Sequence, residues 1–200
     1  MSQTTPVAPA PEEPAEEKSF FRSVKLDLFA WLQALVFALF ILIFCFTFFG
    51  RVISVVGSSM YPTLHDKDML LVQSIGYSPQ PGDVIVLTKE FATVEGPIVK
   101  RVIAIGGQTV DIDYDAGLVY VDGVALTEPY INEAMTQPGS YDLWETHVVV
   151  PENHVFVLGD NRNASADSRH SELGTIDERY ILGKAICVVL PFSNLGLIAH

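Results

Sequence analysis

Three polar segments of the sequence carry side chains that could make and break a covalent bond. In Gly57-Ser58-Ser59-Met60-Tyr61-Pro62-Thr63-Leu64 a glycine and a proline bracket a sharp turn after an apolar run, which exposes a serine hydroxyl at a strand end. Serine is a weak nucleophile until a base takes its proton. The run from Pro97 to Gly107 holds a candidate base, because Lys100 lies among almost wholly apolar neighbours. Two placements fit that run taken alone. Lys100 can alternate toward a wet face, or it can be buried, where desolvation lowers its pKa; reaching about 8 from about 10.4 takes roughly 3 kcal/mol. The third segment, Gly159-Asp160-Asn161-Arg162-Asn163-Ala164-Ser165-Ala166-Asp167-Ser168-Arg169, follows an apolar run and packs two Asp, two Arg and two Ser into eleven residues. It fits a solvated turn with side-chain caps or a polar support for a site. None of the five histidines has the H-E-x-x-H spacing or a cysteine partner at zinc spacing, so no metal is expected. A Ser-His-Asp triad stays open, since its members can come from anywhere in a chain.

The elements that must position these residues fall into three zones. Residues 1–27 are rich in Pro, Ala and Glu at their start, with little to bury, and are expected to form a disordered tail and a juxtamembrane segment. Leu28 to Phe49 are 22 residues in which only Gln33 and Thr47 are polar. As a helix they span about 33 Å, against a bilayer core of about 30 Å, and 28–50 is assigned as one transmembrane helix. Lys18, Arg22 and Lys25 precede it and Arg51 follows, which by the positive-inside rule leaves the N-terminus in the cytoplasm and residues 51–200 outside. The chain is 49% apolar, but without the span it has an ordinary soluble composition, which excludes a polytopic transporter. A net charge of −12 excludes nucleic acid as a partner. Cys45 lies in the span and Cys187 near the other end, so no intrachain disulfide is expected.

Residues 51–200 read as a mainly β domain. Short apolar runs at 52–56, 69–73, 84–88, 98–105, 155–158 and 185–190 are punctuated by Gly and Pro. Asp122-Gly123 between Leu118–Val121 and Val124–Leu126 predicts a type I′ hairpin. That hairpin belongs to a small insertion around 111–150, expected as a cap.

Taken together, the motifs resemble those of the bacterial type I signal peptidases, the membrane-bound serine-lysine leader peptidases. The resemblance rests on four segments in family order: Ser59-Met60-Tyr61-Pro62-Thr63-Leu64, Pro81-Gly82-Asp83 before an apolar run, Lys100-Arg101-Val102 with Gly106-Gly107, and the loop from Gly159 to Arg169. It covers about residues 51–191 and implies a signal-peptidase-like antiparallel catalytic domain of coiled β sheets behind one transmembrane helix. The activity implied is endopeptidase removal of N-terminal signal peptides from exported preproteins after small residues at −3 and −1.

Residue by residue, the resemblance implies Ser59 as nucleophile and Lys100 as general base, with Met60 among the supporting residues. Ser165 matches the hydroxyl that orients the lysine, Asp167 and Arg169 an ion pair that holds the loop, and Asp160 a supporting aspartate. Val55, Val56, Ile98 and Val99 are expected to line the substrate cleft, beside which an extended peptide adds as a strand. The Ser59 N–H is the expected oxyanion donor. The chain departs from the family at Gly57, where some relatives carry a second oxyanion hydroxyl, and at Asn163-Ala164, where relatives usually have Asp-Asn. No metal or organic cofactor is implied. The partners implied are exported preproteins, the lipid bilayer and a nearby secretion translocase. Two other readings of the same segments are a membrane-anchored, non-catalytic β domain, such as an adhesin or assembly factor, and a self-cleaving serine-lysine protease of the SOS-repressor type.

Overall fold

The structure is a computed structural model that describes residues 15–48, 51–89, 96–136 and 145–198. It consists of two units, divided between Cys45 and Phe46.

The described residues of the first unit belong to one helix, α1 (Ala15–Phe48), whose last residues continue past that division. Within it Asp27–Phe44 is long and apolar enough to cross a membrane, and none of that stretch is buried against protein. A helix apolar on every side and uncovered is the form that a lipid-facing segment takes. The helix starts earlier than expected. Residues 15–27, assigned from sequence to a disordered tail and juxtamembrane segment, are helical because Ala15-Glu16-Glu17-Lys18 are strong helix formers, and extending a helix needs no new nucleus. The expectation for residues 1–14 lies outside the described residues.

The second unit is mainly β, as expected. Its strands are β1 (Arg51–Ser54), β2 (Met69–Gln73), β3 (Val84–Leu87), β4 (Ile98–Ile105), β5 (Thr109–Asp113), β6 (Leu118–Val121), β7 (Val124–Ala125), β8 (His147–Val149), β9 (His154–Leu158), β10 (Ile176–Asp177), β11 (Ile181–Leu190) and β12 (Gly196–Leu197). The larger sheet runs β1-β2-β11-β3-β4-β9-β10, with β12 also on β11; the smaller runs β7-β6-β5-β8. All pairings are antiparallel. The long β11 pairs with β3 through its first half and with β2 through its second, and the register shifts along it coil the larger sheet.

Apolar residues face both sides of the central strands. Val84, Val86 and Val99 join Leu70, Val72, Val188, Met60 and Leu64 in one core. On the opposite face Ile85, Leu87, Val102, Val155 and Val157 pack with Leu173 and Ile176. Each fully buried side chain of this kind contributes about 1.5–3 kcal/mol. The smaller sheet is not a loose cap: Val110, Val119 and Val121 share a third core with Ile103, Ala104, Phe156 and Leu158 of the larger sheet. Its hairpin forms where expected, with positive φ at both Asp122 and Gly123.

Candidate active site

β1 ends at Ser54, and the chain passes through a turn before β2 begins at Met69. Gly57 has φ +88°, a conformation that costs glycine least, so the backbone reverses just ahead of Ser58-Ser59. Val55, Met60 and Leu64 bury their side chains in the core beneath and fix the turn on both sides of the serine. The Gly57 N–H donates to Asp66 Oδ1 at 2.9 Å. From across the cleft Asn161 holds the same turn, its backbone N–H donating to Ser59 O at 3.0 Å and its side-chain amide to Ser58 O at 3.1 Å. Among the described residues the Ser59 N–H has no acceptor, which leaves it available to a developing oxyanion.

Lys100 is on β4, opposite Ile85 of β3. Both faces of β4 are covered, so alternation cannot bring this lysine to water, and it is 4% exposed. Its Nζ is hydrogen-bonded to Ser59 Oγ at 2.8 Å and donates to Val99 O at 3.0 Å. Burial lowers its pKa to about 8; Asp167 and Asp160 pull it up and Arg169 pulls it down. Near neutrality a usable fraction of this amine is therefore unprotonated and can accept the serine proton.

Ser165 is buried beside the dyad, where its hydroxyl acts on the Asp167 carboxylate rather than on Lys100. The expected orienting bond to Lys100 is not made; the Val99 carbonyl takes one amine proton instead. The packing around it is close. A Cβ on Gly159 would lie 2.2 Å from Ser165 Oγ and 2.5 Å from Ser59 O, so the loop and the nucleophile turn meet only because residue 159 has no side chain.

The Gly159–Arg169 loop is held by buried charge. Arg169 donates to both Asp167 oxygens, at 2.7 and 2.8 Å, and the Gly159 N–H donates to Asp167 at 3.0 Å. Burial acts to raise the Asp167 pKa, yet Arg169 and these hydrogen bonds hold it below the usual carboxylate value. Asp160 is paired with Arg101, whose Nε and Nη2 reach its two oxygens at 2.8 and 2.7 Å. Thr63 Oγ1 donates to the same carboxylate, which joins the nucleophile segment to this pair. Arg101 also lies 4.0 Å from the centre of the Tyr130 ring. A sequence signal for Arg101 exists. Adjacent residues of a strand point to opposite faces, so Lys100-Arg101 inside an apolar run requires at least one buried cation, and that cation needs an anion.

β3 covers one edge of Ile98–Arg101, whereas β9 pairs with β4 only from Arg101 onward, so the other edge of Ile98–Lys100 is open. β1 is the end strand of its sheet. Beside these edges lies a cleft of about 340 Å³ that contains Ser59 and Lys100. Val55, Val56, Ile98 and Val99 all line it, with Val56 86% exposed and Val55 and Val99 largely buried; Ala164 and Ala166 line it from the loop. Met60 also lines it, although it is only 1% exposed.

The sequence model of the family described as "Signal peptidase, peptidase S26" matches residues 28–190. Signal peptidase I of Bacillus licheniformis is 34% identical over 187 residues, 90% of this chain and 97% of that protein. The probable signal peptidase I-1 of Synechocystis is 41% identical over 149 residues, covering 70% of this chain and 71% of that one. A solved signal peptidase I from Enterococcus faecalis is 28% identical, with a TM-score of 0.42, over 54% of this chain and 97% of that one.

Proposed function

Because the chain belongs to the signal peptidase family, peptidase S26, and is a serine endopeptidase that removes signal peptides from preproteins, we propose that Ser59 is its nucleophile and Lys100 its general base. The observation that carries this assignment is the 2.8 Å contact between the two side chains, made where burial holds the amine pKa at about 8. Ser59 Oγ attacks the carbonyl carbon of the scissile bond as its proton passes to Lys100 Nζ. The carbonyl oxygen becomes an oxyanion facing the Ser59 N–H. The ammonium then protonates the departing amine, which leaves as the N-terminus of the mature protein and leaves the signal peptide acylated on Ser59. Lys100, neutral again, deprotonates a water that attacks the ester, and Ser59 is regenerated as the signal peptide's new carboxylate departs.

This mechanism fixes the pH dependence. Lys100 must be neutral to act, so kcat/KM rises about tenfold per pH unit below 8 and levels off above it. A profile flat from pH 6 to 9, or one still rising steeply near 10, overturns the assignment of Lys100.

The substrate binds as an added strand between the turn after β1 and the open edge of β4, with small side chains at −3 and −1 entering shallow pockets walled by Val55, Val56, Ile98 and Val99. Val56→Trp narrows this groove and shifts cleavage to alternative sites in a preprotein. Unchanged site choice, read by N-terminal sequencing of the product, removes Val56 from the pocket.

The chain crosses the bilayer once through α1, N-terminus in the cytoplasm and β domain outside, in keeping with the positive charge before the span. A signal peptide is itself apolar, so a tether in the same bilayer raises its effective concentration at the site and places the enzyme near the translocase that delivers it.

A further inference from the structure

The loop that carries Ser165 is held from one side by a segment whose purpose the sequence does not disclose. In residues 128–136, Glu128 accepts from both terminal nitrogens of buried Arg162, at 2.9 and 2.5 Å. The Asn132 N–H donates to Asp160 O at 3.1 Å. The outer end of the segment is fastened by one side chain. Asn163 Oδ1 accepts from the Thr136 N–H at 2.9 Å and from Thr136 Oγ1 at 3.2 Å, while its Nδ2 donates to Glu133 Oε1 at 3.0 Å and to Ala134 O at 3.1 Å. This uses the full donor and acceptor capacity of a carboxamide in opposite directions. A carboxylate of the same shape could still accept from Thr136, but it would face the Glu133 carboxylate and the Ala134 carbonyl with nothing to donate.

Asn163 is two residues before Ser165, whose hydroxyl is buried next to the Asp167 carboxylate, and four residues after Gly159, where the loop touches Ser59 O with no space to spare. A loop packed this closely transmits a small displacement at Asn163 to the reacting groups, and misplacement of a reacting group by about 1 Å can cost about a hundredfold in rate. We propose that Asn163 is a positioning residue: through Glu133 and Thr136 it staples the 128–136 segment to the loop and so sets where Ser165 and Gly159 stand against Ser59 and Lys100. The proposal rests on the assignment of Ser59 and Lys100 as the reacting pair.

The test compares Asn163→Asp, Asn163→Asp/Glu133→Gln and Asn163→Ala with the parent enzyme, full chain in detergent, cleaving a model preprotein, with Ser59→Ala alongside. Asn163→Asp is expected to lower kcat about tenfold with KM within twofold. In the double variant the carboxamide that replaces the Glu133 carboxylate donates where Asn163 did, and kcat returns to within threefold of the parent. Asn163→Ala lowers kcat like the single Asp variant. It replaces that variant as the deciding measurement if Asn163→Asp is unfolded at the assay temperature. A kcat within twofold of the parent in the deciding variant overturns the staple, as does a folded Asn163→Asp that Glu133→Gln does not rescue. Those results leave the dyad standing; cleavage retained by Ser59→Ala sinks the dyad itself.

Discussion

Lys100→Met and Ser59→Ala each reduce preprotein cleavage by about 10⁴-fold or more while leaving a folded protein. Two features of the structure separate the chemical loss from a loss of fold. Lys100 is 4% exposed and its burial opposes its charge, so an unbranched apolar side chain of similar length suits the site at least as well as the amine. The thermal midpoint of Lys100→Met is expected at or above that of the parent. Ser59 is only part-buried and among the described residues its hydroxyl bonds only Lys100, so removing that oxygen disturbs no other hydrogen bond there. The two effects also fail to add. The double variant is no slower than either single one, because a base without a nucleophile and a nucleophile without a base are equally idle. Cleavage within tenfold of the parent in either purified variant, or losses that multiply in the double variant, contradict a shared serine-lysine step.

How much of this was legible in the sequence follows from how local each feature is. β2 and β4 have the bounds that the apolar runs have, and the hairpin at Asp122-Gly123 follows from two residues that both accept positive φ. β5 and β8 are hard to read locally because Thr109–Asp113 is interrupted by Asp111 and Asp113 and the apolar run at β8 is only Val148 to Val150. His147–Val149 becomes a strand only by pairing with Thr109–Asp111, some forty residues earlier, and that register is set by the shared core rather than by local pattern. The charged pairs were half legible. Asp167 and Arg169 are two apart in one turn and bond each other locally, whereas Glu128 finds Arg162, and Asp160 finds Arg101, only through the fold. Lys100 shows the limit most clearly. Its run permits both a wet and a buried placement, and what decides between them is that β3 pairs along it and cores cover both faces of β4, which no window around residue 100 contains.

Arg169→Met is expected to cost about 3–5 kcal/mol at pH 7 and to move the pH profile of the enzyme at the same time. Asp167 is fully buried, which alone would raise its pKa, and Arg169 with the Gly159 N–H holds it below the unfolded value instead. In the parent, therefore, this carboxylate contributes stability that is present above the unfolded pKa of about 3.9 and is lost as pH falls through the lower folded value. Removing the guanidinium leaves burial as the dominant influence, so the folded pKa rises above the unfolded one and the sign inverts. The variant is then least stable at neutral pH and regains stability as pH falls toward 5, where the buried carboxyl takes up its proton. Lys100 responds to the same change: Arg169 lowers its pKa and Asp167 raises it, so an unpaired Asp167 carboxylate moves the rising limb of kcat/KM above pH 8. Arg169→Met/Asp167→Asn removes both charges and brings the limb back toward 8 and much of the stability with it. Thermal melts from pH 5 to 8 and kcat/KM profiles of the two variants test both effects. A stability loss under about 1 kcal/mol with an unmoved limb would mean that the pair neither holds the loop nor acts on Lys100. A moved limb with unchanged stability would leave Asp167-Arg169 acting on the base alone, and a stability loss with an unmoved limb would leave it acting on the loop alone.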